Sequence, residues 1–209
     1  TNMPYQVSSV TPGKPASVPA FSPDVIIIGG GAAGLMCAIE AGRRRRSVVV
    51  LERNDAIGRK IRISGGGRYN FTNLYTTPDN FISGNPSFHK SALSRYTPSD
   101  FIGTIRRHGI AYHEKKLGQL FCDGSSQQVI DMLRAECDDV RARILINCRV
   151  DTIKKSDRFV LDTNHGQFDC NSLVIATGGL SIPKLGATDF GYRLARQFGL
   201  NVTEMRPAL

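Results

Sequence analysis

Apolar positions along this chain follow two different rhythms. Residues 24–28, 47–51 and 172–176 are short, mostly β-branched runs without alternation, the pattern of strands buried on both faces of a parallel sheet. Residues 150–153, 159–162 and 167–170 instead alternate apolar and polar, with Asn164, His165 and Gly166 as a turn, and predict a small β-meander at about 148–171. Residues 144–146 read as a further strand. Helical spacing follows the first run at Leu35, Met36, Ala38, Ile39 and Ala41, with Gly42 as a left-handed stop. Thr97, Pro98 and Asp100 form a capped helix start, and that helix runs to about His108 before Gly109. Two more helices are expected at about 126–137 and 190–198. Residues 1–23, rich in Pro, Ser, Thr and Val and without an acid, have no period and read as a flexible arm. A transit peptide fits less well, because Lys14 is the only basic residue there.

The first strand ends in Gly29, Gly30, Gly31, Ala32, Ala33 and Gly34, a G-x-G-x-x-G placed between strand and helix. Gly29 permits the tight turn, Gly31 lets backbone approach a pyrophosphate, and Gly34 lets the helix pack closely on the strand. The helix N-terminus then offers unpaired N–H groups and a positive dipole end to an anion. The second strand delivers Glu52, followed by Arg53, eighteen residues after Gly34. A carboxylate there accepts hydrogen bonds from a ribose 2′-OH and repels a 2′-phosphate, so FAD or NAD fits better than NADP. Strand, fingerprint, helix, strand and acid in this order are far more specific than the glycines alone.

Three later features favour FAD over NAD. Gly58, Arg59 and Lys60, with Ser64, Gly65, Gly66, Gly67, Arg68, Asn70, Thr72 and Asn73, make a second glycine-rich polar loop able to approach a flat ring system and offer N–H donors. A β-meander replaces a crossover helix. The last buried strand ends in Ala176, Thr177, Gly178 and Gly179, bringing a second glycine-terminated strand to the same sheet edge.

DVIIIGGGAAGLMCAIEAG, IGRKIRISGGGRYNFTN, FISGNPSFHKSALSRYTP, YHEKKLGQLFCD and LVIATGGLSIPKLGATDFGY together resemble the bacterial HI0933-like (YhiN-like, BaiN-like) flavoproteins, NAD(P)/FAD-dependent oxidoreductases that include a bile-acid reductase. The resemblance covers residues 24–209. It implies an α/β, Rossmann-like FAD-binding domain of glutathione-reductase type, a parallel sheet with helices plus a small β-meander. It further implies that Val150 meets the adenine through its backbone and that residues 64–73 lie near the flavin. Tyr69 stands where that family's SGGGRCN pattern has cysteine, and Asp189 where GATGFGY has glycine. Members of the family are longer, so residues 24–209 are expected to be one FAD/NAD(P)-binding domain, ending at Arg206–Leu209 before an inserted domain and a C-terminal return.

Composition narrows the function classes. No apolar run approaches the roughly 20 residues of a membrane helix, which points to a soluble, cytoplasmic protein. Five scattered cysteines without a CxxC pair disfavour a zinc ribbon, a disulfide framework or a disulfide reductase. His89, His108, His113 and His165 are isolated, and no catalytic residue or metal site stands out. The formal net charge of +9 suits an anionic dinucleotide as well as a nucleic acid, and nucleic acid is the less favoured partner. The expectation is an NAD(P)H-linked FAD oxidoreductase that reduces a small organic substrate, with an activated double bond as the implied target. Two rivals are a non-catalytic module binding ADP-containing nucleotides and an FAD protein acting on RNA.

Overall fold

A computed structural model describes residues 22–182 and 186–205. The expected arm up to residue 21 and the chain end at 206–209 lie outside the described residues. Ser22 and Pro23 are held in place: Ser22 Oγ donates to Asp169 Oδ2 at 2.7 Å, and Arg158 bonds Ser22 Oγ at 2.7 Å and Pro23 O at 3.3 Å.

The fold is built in layers around a parallel sheet. β1 (Val25–Ile28), β2 (Val48–Leu51), β6 (Arg143–Leu145) and β10 (Ser172–Ile175) lie in the order β10-β1-β2-β6, all parallel. The unbroken apolar runs of β1 and β2 follow from burial on both faces. β10, expected as a third buried strand, lies instead at the sheet edge with Ser172 and Ile175 exposed, and β6 at the other edge is exposed at Arg143. Val25, Ile27, Val48 and Val50 join a core with α1 (Ala32–Arg43) and α5 (Gln127–Asp139). Ile26, Ile28, Val49 and Leu51 point the other way, into a second core with the meander and Leu194 of α6 (Phe190–Gln197). That meander is β7 (Val150–Lys155), β8 (Phe159–Thr163) and β9 (Gly166–Cys170), antiparallel as its alternation required.

Between β2 and α5 the chain builds a third unit that the sequence pattern did not announce. β3 (Asn70–Asn73), β5 (Gln119–Cys122) and β4 (Tyr112–Glu114) form an antiparallel sheet in the order β3-β5-β4. These strands are three or four residues long, too short for alternation to declare itself. Two short helices, α2 (Arg59–Ile63) and α3 (Lys90–Arg95), also went unforeseen. The helix α4 (Pro98–Arg107) starts as expected: Asp100 N–H donates to Thr97 Oγ1 at 3.3 Å and Thr97 N–H donates to Asp100 Oδ2 at 2.7 Å.

The end of α1 departs from expectation. Gly42 lies inside the helix, and the left-handed residue is Arg45, at φ 60°. Gly42 is required for packing instead, since a Cβ there would sit 2.5 Å from Val140 Cγ2. Arg43 and Arg44 pair with Glu40 at 3.0 and 3.1 Å at the helix C-terminus, where cations complement the dipole.

Candidate dinucleotide site

The carboxyl ends of β1, β2 and β10 open into one cleft of about 650 Å³. Crossed strand-end bonds close its floor: Gly29 N–H donates to Leu51 O at 2.9 Å and Ala176 N–H to Ile28 O at 2.8 Å. Two of the fingerprint glycines are enforced by neighbouring backbone. Gly29 has φ 111°, and a Cβ on it would lie 2.4 Å from Ala176 O; a Cβ on Gly34 would lie 1.9 Å from Gly29 O. Gly31 differs, because its Cβ would meet nothing within 4 Å and Gly31, Ala32 and Ala33 line the open cleft. Gly31 is also the N-cap of α1, and no side chain caps that end. A twelve-residue helix therefore aims uncapped N–H groups and its positive dipole end into empty volume, the arrangement that holds a pyrophosphate.

Glu52 sits buried where β2 meets the cleft, 7% exposed. Its Oε2 accepts the Gly30 N–H at 2.7 Å, and its Oε1 accepts both the backbone N–H and the amide of Asn54, at 2.8 and 2.6 Å. Oε1 is thus saturated, while Oε2 keeps one acceptor position for a ribose hydroxyl. Cations surround this acid. Arg59 donates to Asn54 Oδ1 at 2.8 Å, Lys60 to Gly179 O at 3.2 Å and Ser181 Oγ at 3.0 Å, and Arg53 to Gly186 O at 3.4 Å. Among the described residues no carboxylate forms an ion pair with these three, so their charge is free to act on an anion. Arg149 and Arg193 also reach the cleft but are paired with Asp151 and Asp189 at 2.7 and 3.0 Å. Uncapped helix end, ribose-seeking acid and unpaired cations are together a donor set that suits a dinucleotide.

Of the residues expected at the cofactor, Gly29, Gly31, Ala32, Ala33, Glu52, Arg53, Gly58, Arg59, Lys60, Ser64, Val150, Ala176, Thr177 and Gly178 line the cleft. Others fall outside its lining. Gly34 acts through close packing, and Gly179 through the carbonyl that holds Lys60. Gly65, Gly66 and Gly67 shape the turn with φ of 61°, 67° and 87°, and Arg68 is exposed beyond it. Asn70, Thr72 and Asn73 belong to β3 and pair with β5. The Asn73 side chain is occupied by Tyr75 N–H and Leu117 O, at 2.8 and 2.9 Å. The polar second loop is therefore a helix, a turn and a strand.

Sequence reasoning missed Asn54, Cys148, Arg149, Asp151, Phe190 and Arg193, all of which line the cleft, and it placed Tyr69 near the flavin only as a member of the 64–73 loop. Arg149 and Asp151 flank Val150, and Phe190 lies in the GATDFGY segment, but no spacing rule says which neighbours of a motif face a ligand. Asp189, one of the two departures from the family pattern, precedes α6 and accepts from Arg193. None of the four histidines lines the cleft. His113 Nδ1 lies 2.6 Å from Asp123 Oδ1, His108 Nε2 2.8 Å from Glu136 Oε1, and His89 and His165 bond backbone carbonyls. The five cysteines are free thiols, and burial with nearby Asp138 and Glu136 pushes the Cys137 thiol up to about 12.

A family model described as the HI0933-like protein Rossmann domain matches residues 23–206. The chain belongs to the HI0933-like family. It is 51% identical over 189 residues to a ribosomal RNA dihydrouridine synthase of Haemophilus influenzae and 52% identical over 187 residues to one of Escherichia coli, covering 88% and 89% of this chain and 47% of each relative. The chain spans about half the length of these curated relatives. Glycine oxidase from Geobacillus kaustophilus shares its architecture, with a TM-score of 0.58 at 18% identity over 87% of this chain and 59% of the oxidase. The expected fold class, a Rossmann-like FAD-binding domain, is the one observed. Among the described residues of this family member, no helix is long and apolar enough to cross a membrane.

Proposed function

We propose that this chain is the FAD-holding part of a flavin-dependent reductase that saturates the C5–C6 double bond of uridine in ribosomal RNA, with reduced nicotinamide as the electron source. The observation that carries the substrate is the identity of 51% and 52%, over nearly nine-tenths of this chain, to two proteins named ribosomal RNA dihydrouridine synthases. Dihydrouridine is uridine whose C5–C6 bond has been reduced, and that bond is conjugated to the C4 carbonyl. It is thus an activated double bond, the target class implied by the family resemblance. RNA, the less favoured partner on composition alone, takes precedence because the relatives agree with the surplus of 27 Lys and Arg over 18 Asp and Glu.

Each part of the cleft has a task under this reading. The N–H groups at Gly31, Ala32 and Ala33 hold the pyrophosphate, and Glu52 Oε2 takes a ribose hydroxyl. Arg53, Arg59 and Lys60 offset the phosphate charge, and Val150 meets the adenine through its backbone. Gly58, Ser64, Ala176, Thr177 and Gly178 bound the remaining volume, which would take the ring system. Bound FAD supplies the two-electron carrier that no side chain can provide.

The test uses the full-length protein. Flavin absorbance released on denaturation, followed by incubation with unmodified ribosomal RNA and NADH or NADPH, should yield dihydrouridine in the digested nucleosides. A flavin-loaded protein that oxidises nicotinamide yet leaves every uridine intact would overturn the substrate. Absence of flavin, with ADP bound as tightly as FAD, would favour a nucleotide-binding module instead.

A further inference from the structure

Cofactor binding leaves several cleft residues without a task, and one of them is held in a strained conformation. Tyr69 lines the same cleft as Lys60, Ser64 and Thr177, and its φ of 53° is left-handed, a conformation that bulky L-residues rarely adopt. Six non-glycine residues among those described have a positive φ, and of these only Tyr69 lines the cleft. Several unrelated contacts hold its turn. Tyr69 N–H donates to Ser64 O at 2.9 Å, and Cys122 N–H donates to Arg68 O at 3.1 Å. Buried Ser126 grips the turn twice, with its N–H to Gly67 O at 2.7 Å and its Oγ to Arg62 O at 2.8 Å. Strain maintained from several sides marks a side chain whose position matters to function.

The chemistry of the hydroxyl fits a proton donor. Half-buried, the ring packs against the first core, while its hydroxyl makes no hydrogen bond to any described residue. Burial, aided by nearby Cys122, pushes the phenol above its ordinary pKa, so the proton stays on oxygen at neutral pH. The other candidates in the cleft are less suited. Lys60 is committed to Gly179 and Ser181, the hydroxyls of Ser64 and Thr177 are far weaker acids, and Cys148 is buried in the second core, whereas Tyr69 packs on the first.

We infer that Tyr69 is the proton donor that completes reduction of the uracil ring, an assignment that rests on the RNA-reducing reading above. Uracil C6, conjugated to the C4 carbonyl, accepts a hydride from reduced flavin, and the π pair moves toward C5 and the C4 oxygen. The Tyr69 O–H bond then breaks, its proton forms the new C–H bond at C5, and the phenolate regains a proton from water. Uridine gains one hydride and one proton, and the flavin is oxidised by two electrons.

Full-length Tyr69→Phe tests this against the wild type and Tyr69→Cys. The expected result for Tyr69→Phe is normal flavin content, RNA binding and nicotinamide-driven flavin reduction, with reoxidation by ribosomal RNA slowed about 10²- to 10³-fold. Tyr69→Cys, which returns a proton donor to the site, should recover at least about tenfold of that loss. Alkaline difference spectra of wild type minus Tyr69→Phe should show a phenol ionising above roughly pH 10. RNA-driven reoxidation at the wild-type rate in Tyr69→Phe would overturn the assignment alone. A Tyr69→Phe protein that sheds its flavin would make the hydroxyl a cofactor contact and remove the acid role. A flavin-loaded wild type that leaves ribosomal RNA unreduced would instead overturn the substrate reading, and this inference with it.

Discussion

The two glycine-rich turns, at residues 29–34 and 64–69, look alike in sequence and differ in what their glycines do. In the first, Gly29 and Gly34 are compelled by backbone pressing on them, and Gly31 faces open cleft. In the second, all three glycines adopt positive φ, none lines the cleft, and only the flanking Ser64 and Tyr69 reach it. Gly65 is also wedged, since a Cβ there would lie 2.7 Å from the Phe121 ring and 2.9 Å from Asn70 N. Glycine content therefore reports backbone conformation and close approach. Ligand contact is a separate matter, decided by which side of the turn faces the cleft.

Substitution sharpens this contrast, starting with the largest effect. Gly34→Ala forces a methyl into Gly29 O and should cost about 3 kcal/mol or more in urea unfolding. Gly31→Ala should stay within about 0.5 kcal/mol of wild type yet weaken FAD binding, because its methyl enters the cleft. Equal stability losses in the two variants would break the distinction. Gly65→Ala comes next, at about 2 kcal/mol from its left-handed φ and the Phe121 contact, with little change in FAD affinity per folded molecule. A large loss of affinity there would return the second turn to the cofactor.

Glu52→Gln should cost about 1–2 kcal/mol, since an amide nitrogen must replace one oxygen that now accepts an N–H. FAD affinity, measured by fluorescence titration, should fall about tenfold with it. Smallest is a pH effect. Asp24, Asp100, Asp162, Asp169 and Glu136 all have lowered pKa values, chiefly from hydrogen bonds to Ser47, Thr97, Thr152, Ser22 and His108 respectively. Their folded pKa values lie below the unfolded ones, so their contribution is complete above the ordinary carboxylate range and is lost as pH falls through the folded values. Thermal stability should accordingly be level from neutrality to about pH 5 and decline below about pH 4. Glu136→Gln should flatten part of that acid limb, and an unchanged limb would show that the Glu136 pairing contributes nothing.

Much of the frame was legible because its signals are local. The β1–Gly29–α1 unit, β2 ending at Glu52, the meander and the capped start of α4 each declare themselves within about twenty residues. The β3-β5-β4 sheet did not, because Asn70 meets Phe121 across 51 positions and no periodicity records such a pairing. Without that pairing, Asn70, Thr72 and Asn73 read as part of a polar cofactor loop. Gly42 misled for a related reason. A glycine near a helix end is most often a stop, and here distant Val140 claims the space instead.

By itself the sequence determined the two central buried strands, the uncapped glycine entry to α1 and the acid at its fixed offset, all of which follow from short-range sterics and unbroken apolar runs. Only the tertiary structure decided that Ser64 and Tyr69 face the cleft while the glycines between them do not. That outcome depends on Ser126, Phe121 and Cys122 closing on the turn from 50 or more positions away. Contacts at such separation are set by the packing of whole elements.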